Sequence, residues 1–190
     1  MAHNNPLLYL FGYPGVGKNT VAKIIESKSN FIAVQNHLIS NAFRHVMAKR
    51  PAAEYPKLEK LVKHHSMKAW LNFLDFVTEA APENGLIFTS VLYQNDPDRV
   101  EFFDYIANWA AAKGRDFYPV RLSCSREEIL RRAQSVNRHP EFKLTDPVIL
   151  GKVMDQNTLL APSHPHFIDL DVTSIPAEKV AETLLQKVRN

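Results

Sequence analysis

A chain of 190 residues can bury a full hydrophobic core without disulfide or metal staples. Its 45% hydrophobic and 23% charged residues are those of an ordinary globular protein, and a net charge of +3 with no run of Lys and Arg excludes a nucleic-acid-binding tail. No stretch reaches the ~18 apolar residues of a membrane span. The single cysteine, Cys124, excludes an internal disulfide, and the polar start MAHNNP lacks the character of a signal peptide. Together these predict a cytoplasmic protein with neither nucleic acid nor membrane as partner.

PLLYLF, residues 6–11, is an apolar run too short for a helix and ended by glycines, the pattern of a strand buried on both faces. After the glycine turn, NTVAKIIESKS carries Val21, Ile24 and Ile25 at helical spacing. FIAVQ, residues 31–35, predicts a second strand running into Asn36 and His37. Helices are expected over 38–49 and about 56–80, the second turning Leu58, Leu61, Val62, His65, Ala69, Phe73, Val77 and Ala80 inward. GLIFTSVLY, residues 85–93, reads as a third strand. Asp96 and Pro97 then start a helix that carries Val100, Phe103, Ile106, Ala107 and Ala110 inward and stops near Gly114.

DFYPVRLSC, residues 116–124, is a fourth strand, and Ser125 with Glu128 forms a capping box for the next helix. The arginine-rich stretch 131–147, interrupted by Pro140, predicts a mobile segment. Asp146 and Pro147 restart a helix to about 157. HFIDLDVT, residues 166–173, is the last strand, and Pro176 opens a terminal helix with Val180, Leu184, Leu185 and Val188 on one face. Five strands alternating with helices in one domain, 1–190, predict a three-layer, doubly wound parallel α/β sheet. Ligands of such sheets gather at the carboxyl ends of the strands.

GYPGVGKNT, residues 12–20, lies between the first strand and the first helix. Gly12, Gly17 and Lys18 fit the phosphate-binding pattern G-x-x-x-x-G-K. Glycines at 12, 15 and 17 let successive N–H groups face an anion, and the positive end of the following helix adds to the attraction. The candidate nucleotide-binding residues are Gly12, Pro14, Gly15, Val16, Gly17, Lys18, Asn19 and Thr20. One position departs from the usual pattern: the residue after the lysine is Asn19, and the threonine follows one step later.

GYPGVGKNT resembles the G-x-P-G-x-G-K loop of the small P-loop kinases, the group that includes nucleoside monophosphate kinases and shikimate kinase. PVRLSCSREEILRRAQSVNR is similar to their strand, helix and arginine-bearing lid, and FIDLDVT with IPAEKVAETLL is similar to their closing strand and helix. The resemblance implies a P-loop NTPase fold and ATP-dependent phosphoryl transfer with Mg²⁺. Residues about 38–80 would form an acceptor-side helical insertion and about 132–146 a short lid. Lys18 would supply charge to the terminal phosphates, joined by arginines among Arg131, Arg132 and Arg138, of which Arg132 and Arg138 are favoured. The alternative for each arginine is a solvated basic helix face.

Relatives in this group commonly carry an acidic residue after the second or third strand. Here the second strand runs into Asn36 and His37, and the third carries Thr89 and Ser90. His37 is therefore the candidate general base and Asn36 the candidate for orienting an acceptor hydroxyl, with a polar turn after the strand as the alternative for both. Arg44 would meet an anionic acceptor, with a solvated face as the alternative. Asn19 offers a carbonyl oxygen to Mg²⁺ or its water shell. Two functions stay open: a kinase with a small-molecule acceptor, and a nucleotide-binding regulatory or partner-binding protein with little or no kinase activity. His64, His65, His164, His166 and Cys124, and the aromatics Trp70, Phe73 and Phe76, read as surface or packing residues.

Overall fold

The computed structural model describes residues 5–35, 37–134, 144 and 146–188, with the backbone alone at 35, 37 and 38. Five strands, β1 (Leu7–Phe11), β2 (Phe31–Gln35), β3 (Gly85–Ser90), β4 (Phe117–Ser123) and β5 (Ile168–Asp171), form one sheet. Every pairing is parallel, and the order is β2-β3-β1-β4-β5, with β1 at the centre. All five residues of β1 are buried, because side chains alternate across a sheet covered on both faces.

On one face, Leu8, Leu10, Ile87 and Leu122 pack against Val21 and Ile25 of α1 (Lys18–Lys28) and Val180 and Leu184 of α7 (Ala177–Lys187). On the other, Leu7, Tyr9, Phe11 and Phe88 pack against two helices. These are α3 (Tyr55–Ala80), through Trp70 and Leu74, and α4 (Pro97–Ala112), through Phe103 and Ile106. The result is the three-layer parallel architecture expected from the alternation of elements. The remaining helices are α2 (His37–Met47), a 3-10 turn (Ala52–Glu54), α5 (Arg126–Ala133) and α6 (Pro147–Gln156). At the amino edge of the sheet, buried Arg115 donates through Nη1 to the carbonyls of Asn5 and Asn84 and ties the starts of β1 and β3 together.

Several sequence expectations are corrected. The third strand stops at Ser90, not at residue 93, because the following backbone bonds elsewhere. The Leu92 carbonyl accepts from Leu160 N, Gln94 N donates to Thr158 O, and Tyr93 makes an antiparallel bridge with Leu159. The last strand is confined to 168–171; before it, His164 meets the Phe117 ring edge-on and His166 stacks on the Tyr118 ring. The buried stripe of α3 is Ser66, Trp70, Leu74 and Val77, whereas Leu61 is 47% exposed. The apolar pattern read as one inward face serves two neighbours, because α2 also packs along α3 and sets Phe43 against His65. The capping box is half formed: Ser125 Oγ accepts from Glu128 N, but Ser125 N donates to Thr173 Oγ1.

Candidate phosphate-binding site

The site begins where β1 leaves the centre of the sheet. Gly12 follows Phe11 immediately, and a Cβ there would stand 2.3 Å from the Leu122 carbonyl oxygen and 3.1 Å from Val16 Cγ1. Only a residue without a side chain lets the loop turn this close to β4. Gly15 and Gly17 adopt φ of 98° and 106°, in the region that favours glycine. Gly17 precedes α1 with no side-chain cap hydrogen bond, and the N-terminal end of a helix favours an anion. Val16 is buried in the core and pins the middle of the loop, while Pro14, Gly15 and Asn19 are half-buried around it.

Lys18 is the first residue of α1, and its Nζ donates to the carbonyl oxygens of Gly12 at 2.8 Å and Tyr13 at 2.9 Å. The ammonium therefore lies back across the loop that its own backbone closes. Asn19 and Thr20 occupy the second and third positions of α1. Each step along a helix rotates the side chain by about 100°, so the threonine hydroxyl leaves from a different side of α1 than the Asn19 amide. Thr20 is exposed.

Beside the loop, the carboxyl end of β3 supplies Thr89 and Ser90. Thr89 pairs with Leu10 and shares the face of Ile87, the face that α1 covers; it is 3% exposed. Ser90 points the other way and hydrogen-bonds the Tyr9 hydroxyl, whose pKa burial pushes up to about 12. The end of β3, beside β1, thus carries hydroxyls and no carboxylate, as read from the sequence. Among the described residues, no group of three or more His, Cys, Asp or Glu gathers to hold a metal ion.

Arg132 also reaches the loop. Its Nη1 donates to Val16 O at 3.1 Å, its Nη2 to Val172 O at 3.1 Å and Thr173 O at 3.4 Å, and its Nε to Glu128 Oε1 at 2.7 Å. Arg131 turns outward, 73% exposed, and grips the same glutamate through Nε and Nη2 at 2.6 Å each. Hydrogen bonds from Arg131 and then Arg132 hold the Glu128 carboxyl at about 2. His37 is the first residue of α2, two positions after Gln35, which ends β2, and its side chain lies outside the described residues. Arg44 is exposed on α2. Asn36, Arg138 and most of the lid expected over 132–146 lie outside the described residues.

One contributor was absent from the sequence reading. Tyr13, inside the loop, sends its hydroxyl to Asn157 O at 2.5 Å and packs on the Tyr93 ring at 5.8 Å. The two residues it holds are 144 and 80 positions away, so no local spacing signals the contact.

A strand at the centre of a parallel sheet, a glycine turn and a helix with lysine at its first position make up the P-loop fold. Solved structures of that fold match the chain along nearly its whole length. A sugar kinase from a Janibacter species shares 15% identity at a TM-score of 0.64, with 97% of this chain and 95% of that one covered. A gluconokinase from Sinorhizobium meliloti shares 11% at 0.59, covering 98% and 93%. The shikimate kinase of Acinetobacter baumannii, in complex with shikimate, shares 16% at 0.55, covering 98% and 94%. At these identities the likeness shows the fold. No protein-family model matches the chain, and no curated protein sequence matches it. Among the described residues, no helix is long and apolar enough to cross a membrane.

Proposed function

We propose that the protein is an ATP-dependent kinase for a small-molecule acceptor. The observation that carries this reading is the loop itself: Gly12 packed against Leu122, Gly15 and Gly17 at positive φ, and Lys18 folded over the turn. The N–H groups at the start of α1 and the Lys18 ammonium form a compact positive cradle, suited to the phosphates of a nucleotide. Phosphoryl transfer asks a protein chiefly for such positioning and charge neutralisation. That every solved structure named above is a kinase supports the same assignment.

Asn19 offers Mg²⁺ or a water of its shell an amide oxygen from the first turn of α1. The metal, when bound, supplies charge neutralisation at the transferring phosphate. In this reading His37, at the start of α2, accepts the proton of the acceptor hydroxyl. Asn36 and Arg44 orient the acceptor, and Arg138 approaches from the lid. Acceptor binding falls to the region of α2 and α3, beyond the carboxyl ends of β2 and β3.

A second reading, a nucleotide-binding regulatory protein with little transfer activity, draws on Thr89 and Asn19. Neither residue brings the negative charge that usually anchors the metal. The two separate in one assay. Labelled ATP with Mg²⁺ is incubated with panels of nucleosides, nucleotides, sugars, hydroxy acids and antibiotics, using Lys18→Ala as control. The kinase reading expects label on one acceptor class, lost in the variant. Tight ATP binding with no acceptor labelled sinks it in favour of the second reading.

A further inference from the structure

Arg132 holds parts of the molecule that a charge-supplying residue need not touch. Its fork spends Nε on Glu128, Nη1 on the Val16 carbonyl and Nη2 on the carbonyls of Val172 and Thr173, with its side chain only 26% exposed. Thr173 is itself fixed. Its N and Oγ1 both donate to Asp171 Oδ1, and its Oγ1 accepts from Ser125 N. Val172 N closes the same corner on Ser123 O. The arginine thus joins the phosphate loop to a corner that is already rigid.

The Val16 contact has a direct consequence for the neighbouring amide. The peptide between Val16 and Gly17 is trans and planar, so its N–H points opposite to its C=O. With the carbonyl drawn toward Arg132 on the α5 side, the Gly17 N–H is turned away from α5. Gly17 has φ of 106° and no side chain to set that plane locally; Arg132 Nη1 would stand 3.9 Å from a Cβ there. The plane is held from outside.

We propose that Arg132 is a positioning residue of the phosphate loop, orienting the Gly17 N–H toward bound phosphate through the Val16 carbonyl while anchoring the loop to Val172 and Thr173. The proposal rests on the nucleotide-binding reading above. It assigns Arg132 an effect on every ligand that places phosphate in the loop, ADP as well as ATP. A lysine cannot replace it, because one ammonium does not reproduce the planar fork across separated acceptors.

The test is calorimetric titration of ATP and of ADP, each with Mg²⁺, into the wild type, Arg132→Lys and Arg132→Met, with near-ultraviolet circular dichroism as the control for folding. Loss of a charge-assisted bond that aims an amide predicts Kd values raised about tenfold for both nucleotides alike, in Lys and Met variants alike. Four outcomes overturn the proposal: wild-type affinity in both variants, affinity restored by lysine, a loss confined to ATP, or loss of the native spectrum in both variants. The last would make Arg132 a support of the whole fold. Wild-type protein that binds neither nucleotide refutes the kinase reading itself, whereas wild-type binding with unaltered variants refutes this proposal alone.

Discussion

Gly12 shows how tightly the site is built into the sheet. The gap between a hypothetical Cβ and the Leu122 carbonyl, 2.3 Å, is far below contact distance, and the obstacle is backbone. Gly12→Ala must push the loop away from β4, at a cost of about 1–3 kcal/mol for overpacking. Urea denaturation should show that loss together with weakened nucleotide binding. Unchanged stability would mean that the loop is not seated on β4 as described. Much at this scale was legible: three glycines and a lysine in order specify the tight turn between β1 and α1. The partners of Arg132 and Tyr13 were not, since Val16 is 116 residues from the arginine and Asn157 is 144 from the tyrosine. Contacts of that separation depend on the packing of whole elements, which periodicity does not encode.

Element by element, hydrophobic pattern located all five strands, and their ends were decided by hydrogen bonds that pattern cannot report. β3 ends where the backbone after Ser90 turns to meet residues 158–160. The segment before β5 is ordered by its histidines: His166 N donates to His164 Nδ1 at 3.2 Å, which requires that nitrogen to be unprotonated. Burial, and then the nearby His166, hold the His164 pKa below the ordinary 6.5. The unfolded chain therefore binds this proton more readily than the folded one. The contribution to stability is present above the unfolded value and is lost as pH falls through the lower folded value. Thermal unfolding followed from about pH 7.5 to about pH 5.5 should fall more steeply for the wild type than for His164→Phe. Parallel profiles would remove His164 from the acid sensitivity.

For the molecule as a whole, the sequence made the class of fold readable because buried parallel strands alternate with amphipathic helices. The strand order β2-β3-β1-β4-β5 was beyond reach, since every strand is apolar and no residue pattern states which neighbours pair. That order matters to function. It sets Thr89 beside Leu10, at the root of the loop, and leaves β2, with α2 after it, two strands from the centre. The loop and the start of α2 thereby leave the same carboxyl edge from different strands, which in the proposed kinase sets the phosphoryl donor beside its acceptor. The central claim is that this edge binds nucleotide through the loop and Lys18. Its most direct test is equilibrium titration of ATP with Mg²⁺ into the wild type and Lys18→Ala. Saturable wild-type binding that weakens about tenfold or more in the variant is expected when a charged partner of the phosphates is removed. Absence of wild-type binding, or equal affinity in both proteins, would contradict the account.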